Sequence, residues 1–226
     1  MPKDPADLSR SVEDYLKAIY HLSTSDEAAT TSRIAEQLSV AAPSVTGMIK
    51  RLAEQGWVEH QPYKGATLTD EGRRAALRIV RRHRLVETYL VQRLGYTWDT
   101  VHDEAERLEH VVSDELIARI AAALDDPRFD PHGDPIPTAE GELEDHETVP
   151  LSDLGVGTTG LIVRVDTESG DRLRWLAGAG LVPGIRLKVL AQQPFKGPLK
   201  VRVGRQRPQV LGHDLASQLL CVREER

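Results

Sequence analysis

Cysteine is nearly missing from this 226-residue chain, and the single one, Cys221, rules out an internal disulfide. It lies in the apolar run LASQLLCV and is expected to be a buried core thiol. Long hydrophobic runs are missing too. None approaches the roughly 20 residues that a membrane span needs, and the opening MPKDPADLSRSVED carries no apolar signal region. No membrane association is expected, and the protein is read as soluble and cytoplasmic. Aromatic residues make up 4% of the chain, so Trp57, Trp98 and Trp175 are read as packing residues rather than stacking platforms. The length leaves room for two or three compact units.

A formal net charge of -6 argues against a nucleic-acid binder until the chain is divided. Residues 1–82 hold 12 Lys and Arg against 11 Asp and Glu, residues 83–153 hold 5 against 18, and residues 154–226 hold 12 against 6. The middle segment repels itself unless its carboxylates are solvated or neutralised by cations. Residues 44–82, with 8 basic and 4 acidic side chains, have a local excess that can face phosphate.

The apolar period sets the organisation. SVEDYLKAIYHL reads as a first helix with Ser11 as its cap. TTSRIAEQLSV, capped by Thr31, and PSVTGMIKRLAEQG, with Pro43 in its first turn and Gly56 as its stop, read as two short helices separated by a tight turn. That is a helix-turn-helix pattern. WVEHQPYKGATLTDEG then reads as strand, turn around Lys64 and Gly65, and strand, which adds a wing. A long helix is expected over 70–94, another from Trp98 to His110, and a third at SDELIARIAAALDD. From Val149 the period changes to alternation, as in LIVRVD, RLKVLAQQ and LKVRVG, which predicts a small β-barrel with a helical turn or two at HDLASQLLCV.

His83 and Glu87 are four apart on one predicted helix, and His102, Glu106, Glu109 and His110 fall at i, i+4, i+7 and i+8 on the next. Four such side chains project from one face within about 12 Å of helix rise. Imidazoles and carboxylates together on one face are costly unless a cation compensates them. Enzymatic readings of the same residues are weaker: HExxH is absent, Glu106 and His110 have the wrong spacing for a ferritin-like Glu-x-x-His, and no Ser-His-Asp set is found. Gly155-x-Gly157-x-x-Gly160 precedes a strand rather than a helix and reads as barrel turns, not a nucleotide loop. On the second helix of the pair, Pro43, Ser44, Thr46, Gly47, Lys50 and Arg51 lie on or near the side that would meet a DNA groove. Arg33 and Lys64 are further DNA-binding candidates.

The stretches EDYLKAIYHL, RIAEQLSVAAPSVTGMIKRLAEQGWVEH, RRHRLVETYLVQRLG, VHDEAERLEHVVSDEL, DPHGDPIP and LSDLGVGTTGLIVRV together resemble the diphtheria toxin repressor family of metal-dependent transcriptional regulators, and especially its manganese-sensing branch. The resemblance implies a mainly α chain with a winged helix-turn-helix DNA-binding domain at 1–73, a helical dimerisation and metal-binding domain at 74–140, a linker at 141–148 and an SH3-like, FeoA-like β-barrel at 149–226. By position it implies a primary metal site of Asp14, Glu106, Glu109 and His110, with His83, Glu87 and His102 at a neighbouring site. Asp130 and His132 become further candidates because the family's Cys-Pro-His segment is Asp130-Pro131-His132 here, and Glu168 or Asp166 can supply an acidic ligand from the third domain. Lys17 stands where some manganese regulators carry Glu and cannot ligate.

Iron sensors of the family have Met and Cys at the positions of Asp14 and Glu106. The exchange for hard oxygen donors suits Mn(II), with Fe(II) possible and Zn(II), Co(II) or Cd(II) as substitutes. The expected function is a metal-activated repressor, not an enzyme, binding a palindromic double-stranded operator as a homodimer without any small-molecule substrate. An iron-activated repressor, a metal-independent winged-helix regulator and a metallohydrolase on a DNA-binding fold are the alternatives.

Overall fold

The computed structural model describes residues 8–23, 27–61, 64–144 and 147–224. They divide into two compact units. One holds the chain up to His83 with Leu108–Val112 and Pro137–Glu142, and the other holds Arg84–Arg107, Ser113–Ile136 and the chain from Leu143 onward.

In the first unit α1 (Arg10–Leu22) buries Val12, Tyr15, Leu16, Ala18 and Ile19, the stripe that its apolar spacing dictates. Next comes α2 (Thr31–Gln37), which begins one residue earlier than expected in capping terms: the Thr30 side chain, not Thr31, accepts from the Arg33 amide. Ser39 takes a positive φ of 53° in the turn. Then α3 (Ala42–Glu54), with Pro43 in its first turn, buries Val45, Ile49 and Leu52. This alternation leaves Pro43, Ser44, Thr46, Gly47, Lys50 and Arg51 exposed. The wing is the antiparallel pair β1 (Val58–Gln61) and β2 (Gly65–Leu68); Pro62 and Tyr63 of its turn lie outside the described residues. Gly65 is required there, because a Cβ would lie 2.4 Å from the Ala29 carbonyl oxygen at a φ of +125°. Ile34, Ile49, Leu52 and Trp57 join α1 in one core that also takes in Ala76 and Ile79 of α4 (Asp70–Leu94).

The second unit contains the later part of α4, then α5 (Val101–Leu108) and α6 (Asp114–Ala123), the last capped by Ser113, which accepts from the Leu116 amide. A six-stranded sheet follows, in the order β3 (Val149–Pro150), β8 (Leu219–Glu224), β4 (Thr159–Val165), β5 (Arg186–Gln192), β6 (Leu199–Val203) and β7 (Gln209–Leu211). Among the described residues its outer strands β3 and β7 do not pair with each other, so the expected barrel is found as an open sheet order. Two short helices, α7 (Gly170–Gly178) and α8 (His213–Ser217), complete it. Leu173, Leu176 and Leu181 share a core with the inward residues of the strands. Cys221 is buried on β8, as expected of a core thiol, and burial pushes its pKa up to about 12. Trp57 is buried, while Trp175 stands 47% exposed, contrary to the packing role expected of it.

Candidate metal centre

The helix expected from Trp98 to His110 ends at Leu108. The amides of Val111 and Val112 both turn back onto the Leu108 carbonyl, because Ser113 must start a new helix. Glu109 and His110 therefore sit in a turn rather than on the face shared by His102 and Glu106. That turn carries them to α1. Asp14, Glu109 and His110 each offer a ligand atom within 4.8 Å of the others. His110 Nε2 lies 3.0 Å from Asp14 Oδ1 and 3.4 Å from Glu109 Oε1, yet it has no aligned hydrogen-bond partner. On the other side of the ring, Nδ1 donates to Glu13 Oε2 at 2.6 Å, and Glu13 is in turn paired with Arg82 at 3.3 Å.

Burial works against a charged His110, but the carboxylates of Asp14 and Glu13, with the charge of Glu109, outweigh it and push its pKa up to about 9. The ring is thus held as an imidazolium. A divalent cation fits the place of the Nε2 proton: two oxygen donors and one imidazole converge there, and the Glu13 carboxylate fixes the tautomer that leaves Nε2 as the ligand. Glu109 is fully buried; its Oε1 and Oε2 accept from Lys17 Nζ at 2.8 and 2.9 Å, and Oε2 also accepts from His83 Nδ1 at 2.5 Å.

A second close group, Glu87, Asp130 and His132, lies wholly in the other unit and is buried throughout. Asp130 Oδ1 accepts from the amides of His132 (2.8 Å) and Asp134 (2.9 Å), which closes the loop after α6 into a fixed turn. His132 Nδ1 is 3.7 Å from Glu87 Oε2, and its Nε2 donates to the Trp98 carbonyl at 2.7 Å. Burial, with the charges of Asp134 and Glu87, raises the Asp130 pKa to about 7. Burial opposes the charged form of His132, and the Glu87 carboxylate with the Asp130 charge overcomes it, giving about 9. Arg84 steadies the loop, donating to the Pro135 carbonyl at 2.5 Å and to Asp134 at 3.2 Å.

Other expected ligands are spread between these groups. His102 Nδ1 stands 3.3 Å from Glu87 Oε1, and its Nε2 is 3.8 Å from Glu106 and 3.9 Å from Glu168, which is largely exposed. Glu106, expected beside Asp14, is found on α5 with His102. Sequence reasoning did not single out Glu13, Arg82, Arg84 or Asp134. The adjacency of Glu13 to Asp14 was a signal for the first, since two neighbours on a helix point about 100° apart and both can reach a partner between them.

Comparison with known proteins agrees with these parts in order. Models of the iron dependent repressor N-terminal DNA binding domain, the iron dependent repressor metal binding and dimerisation domain, and the FeoA domain match residues 7–66, 69–138 and 149–223. The iron-dependent repressor IdeR of Mycobacterium tuberculosis is 33% identical over 195 residues, covering 81% of this chain and 85% of that protein. The diphtheria toxin repressor of Corynebacterium glutamicum is 34% identical over 201 residues, 83% and 86% of the two chains. Among solved structures, a manganese-dependent transcriptional repressor in complex with manganese is 43% identical with a TM-score of 0.88, covering 94% of this chain and 100% of that one. ScaR with bound Cd2+ is 32% identical with a TM-score of 0.81, covering 94% and 99%. A DNA-binding segment, a metal-binding and dimerisation segment and a FeoA domain, with this coverage, place the chain in the family of the diphtheria toxin repressor and the iron-dependent repressors, metal-dependent regulators of transcription.

Proposed function

We propose that the chain is a cytoplasmic, manganese-activated repressor that binds a palindromic operator as a homodimer. Its parts are a winged helix-turn-helix over 1–73, a dimerisation and metal-binding segment over 74–140, a linker at 141–148 and an SH3-like fold over 149–226. The observation that carries this reading is the convergence of Asp14, Glu109 and His110 with only oxygen and imidazole donors. No sulfur donor is among them, and hard donors suit Mn(II) over softer ions. The manganese-loaded relative supports the same choice; the iron-dependent relatives make Fe(II) the competing activator.

When bound, the ion supplies positive charge that draws the two carboxylates and the imidazole together. Asp14 comes from α1, in the DNA-binding segment, whereas Glu109 and His110 come from the dimerisation segment. Closing them on one ion holds α1, and with it the helix pair carrying Lys50 and Arg51, at one setting. In a dimer that setting fixes the spacing of the two α3 helices, and half-sites about 34 Å apart, or a multiple, accept a narrow range of it. Glu87, Asp130 and His132, with His83, His102 and Glu168 as the candidates around them, form the ancillary centre. Exposed Leu94, Tyr96 and Leu116 supply apolar surface for the dimer.

Asp14→Ala tests the coupling. Operator affinity is measured by fluorescence anisotropy with and without Mn(II), Fe(II) or Zn(II) at matched free concentrations, together with sedimentation for the dimer. The variant should stay dimeric and keep its metal-free DNA affinity while losing the metal-dependent gain, about 5- to 150-fold for a typical coupling between sites. A variant that gains wild-type affinity on adding Mn(II) refutes the latch.

A further inference from the structure

We propose that Lys17 is a built-in cation of the Asp14, Glu109 and His110 centre, its ammonium standing where a second ion would have to sit, so that the centre takes a single divalent ion. The inference rests on the reading of that centre as a metal site. Glu109 faces two ways. Its Oε1 lies toward His110 Nε2 at 3.4 Å, while its Oε2 meets His83 Nδ1 at 2.5 Å. An ion held by Asp14, Glu109 and His110 uses the first side. A second ion bridged by the same carboxylate would take Oε2 and the His83 nitrogen as its ligands, and the Lys17 ammonium lies 2.9 Å from that oxygen and 3.4 Å from that nitrogen.

Two features keep the ammonium there. The pair with Glu109 is two-pronged, at 2.8 and 2.9 Å, with the carboxylate fully buried and the Lys17 side chain only 13% exposed. Removing one partner of such a pair leaves a buried charge without compensation. Charge balance points the same way. Glu13, Asp14 and Glu109 bring three carboxylates, against which stand the cations of Arg82 and Lys17. One divalent ion already turns the balance positive once His110 has given up its proton. A second, beside an ammonium within van der Waals reach, would meet unscreened repulsion in a site with little water.

The test counts ions. Full-length wild type, Lys17→Gln and Lys17→Glu are saturated with millimolar Mn(II), the bound metal is counted per chain by equilibrium dialysis, and electron paramagnetic resonance reports whether two Mn(II) ions are coupled. Both variants should bind one ion more per chain than wild type and show a coupled pair that wild type lacks; ions at the Glu87, Asp130 and His132 group cancel in the difference. A coupled pair in wild type, or an unchanged count in both variants, overturns the proposal. A gain in Lys17→Glu alone would assign the effect to the added carboxylate and also overturns it. Asp14→Ala serves as the separate check on the metal centre: if it binds as many ions as wild type, the reading of the centre fails, whatever Lys17 does.

Discussion

Protons and metal compete for the same nitrogen of His110, and the competition has a size. With a pKa of about 9 in the metal-free chain, the ring is neutral in about one molecule in a hundred at pH 7, so the proton must be expelled at about 2.7 kcal/mol, taking 1.36 kcal/mol per pH unit. The side chain is 4% exposed, so solvent screening takes little from this figure. The sign is fixed by which state binds the proton: the metal-free form holds it up to about pH 9 and the loaded form does not, so affinity rises with pH. Between pH 6 and 8 the apparent affinity for Mn(II) should tighten about tenfold per unit, and about one proton should leave per ion. Titration calorimetry in buffers of different ionisation enthalpy measures both, best in a His132→Ala background that silences the other raised histidine. The metal-free fold has the opposite dependence. A raised histidine pKa stabilises it fully below the unfolded value of about 6.5 and less as pH climbs toward 9, so unfolding temperatures without metal should fall across that window. Binding that is flat from pH 6 to 8 with no proton released would refute the imidazolium and the role assigned to Glu13.

On the DNA side, Lys50→Ala and Arg51→Ala, both exposed on α3, should weaken binding to all sequences and each lower the salt slope by about 0.9 for every phosphate that the side chain neutralises; an effect confined to one base position would make the residue a base reader instead. Gly133→Ala should destabilise the second unit by at least the ~1–3 kcal/mol typical of a strained backbone, because Gly133 has a φ of +89° and a Cβ would lie 1.9 Å from the Val163 carbonyl oxygen. Urea unfolding checks it, and an unchanged midpoint would show that the loop can move away from β4.

Much of the DNA-binding segment was legible because its elements are set by local rules. Val45, Ile49 and Leu52 repeat at helical spacing around Pro43, and the Gly65 turn separates two short runs, so propensity and burial agree. The metal groups were legible as residue types and only partly as geometry. Helical spacing put Glu106, Glu109 and His110 on one face, but the chain turns at Leu108, a boundary decided by the Ser113 cap downstream. Asp130 and His132 depended on a long-range match: the loop that buries them is held by Arg84, about fifty residues away in sequence, which no local pattern announces. In the C-terminal segment GDRLRWLAG forms α7, and LLCVRE, expected as part of a helical turn, is the strand β8 beside β4. Its alternation was hidden because it follows the helical turn HDLAS directly and is apolar on both sides, as a strand between two others tends to be.

The second metal group is built differently from the first, and the difference bears on what the C-terminal segment contributes. In the first unit the ligands hang from a helix and a turn, and Asp14 is a third exposed, so that group can open. In the second, all three members are buried, and the loop that carries two of them is bonded to the sheet: the Val165 amide donates to the His132 carbonyl at 2.9 Å, Gly133 lies against the backbone of Val163, and Trp98, whose carbonyl holds His132 Nε2, packs on the core of the sheet. Arg174 adds an ion pair to Asp99 at 2.9 Å, beside Trp98. A group locked on that many sides has little freedom to change shape when it takes an ion, and a ligand acts as a switch only in proportion to its different affinity for two shapes. The open Asp14 group therefore has the geometry of the switch. The buried Glu87 group has that of a brace tying helices and sheet into one unit.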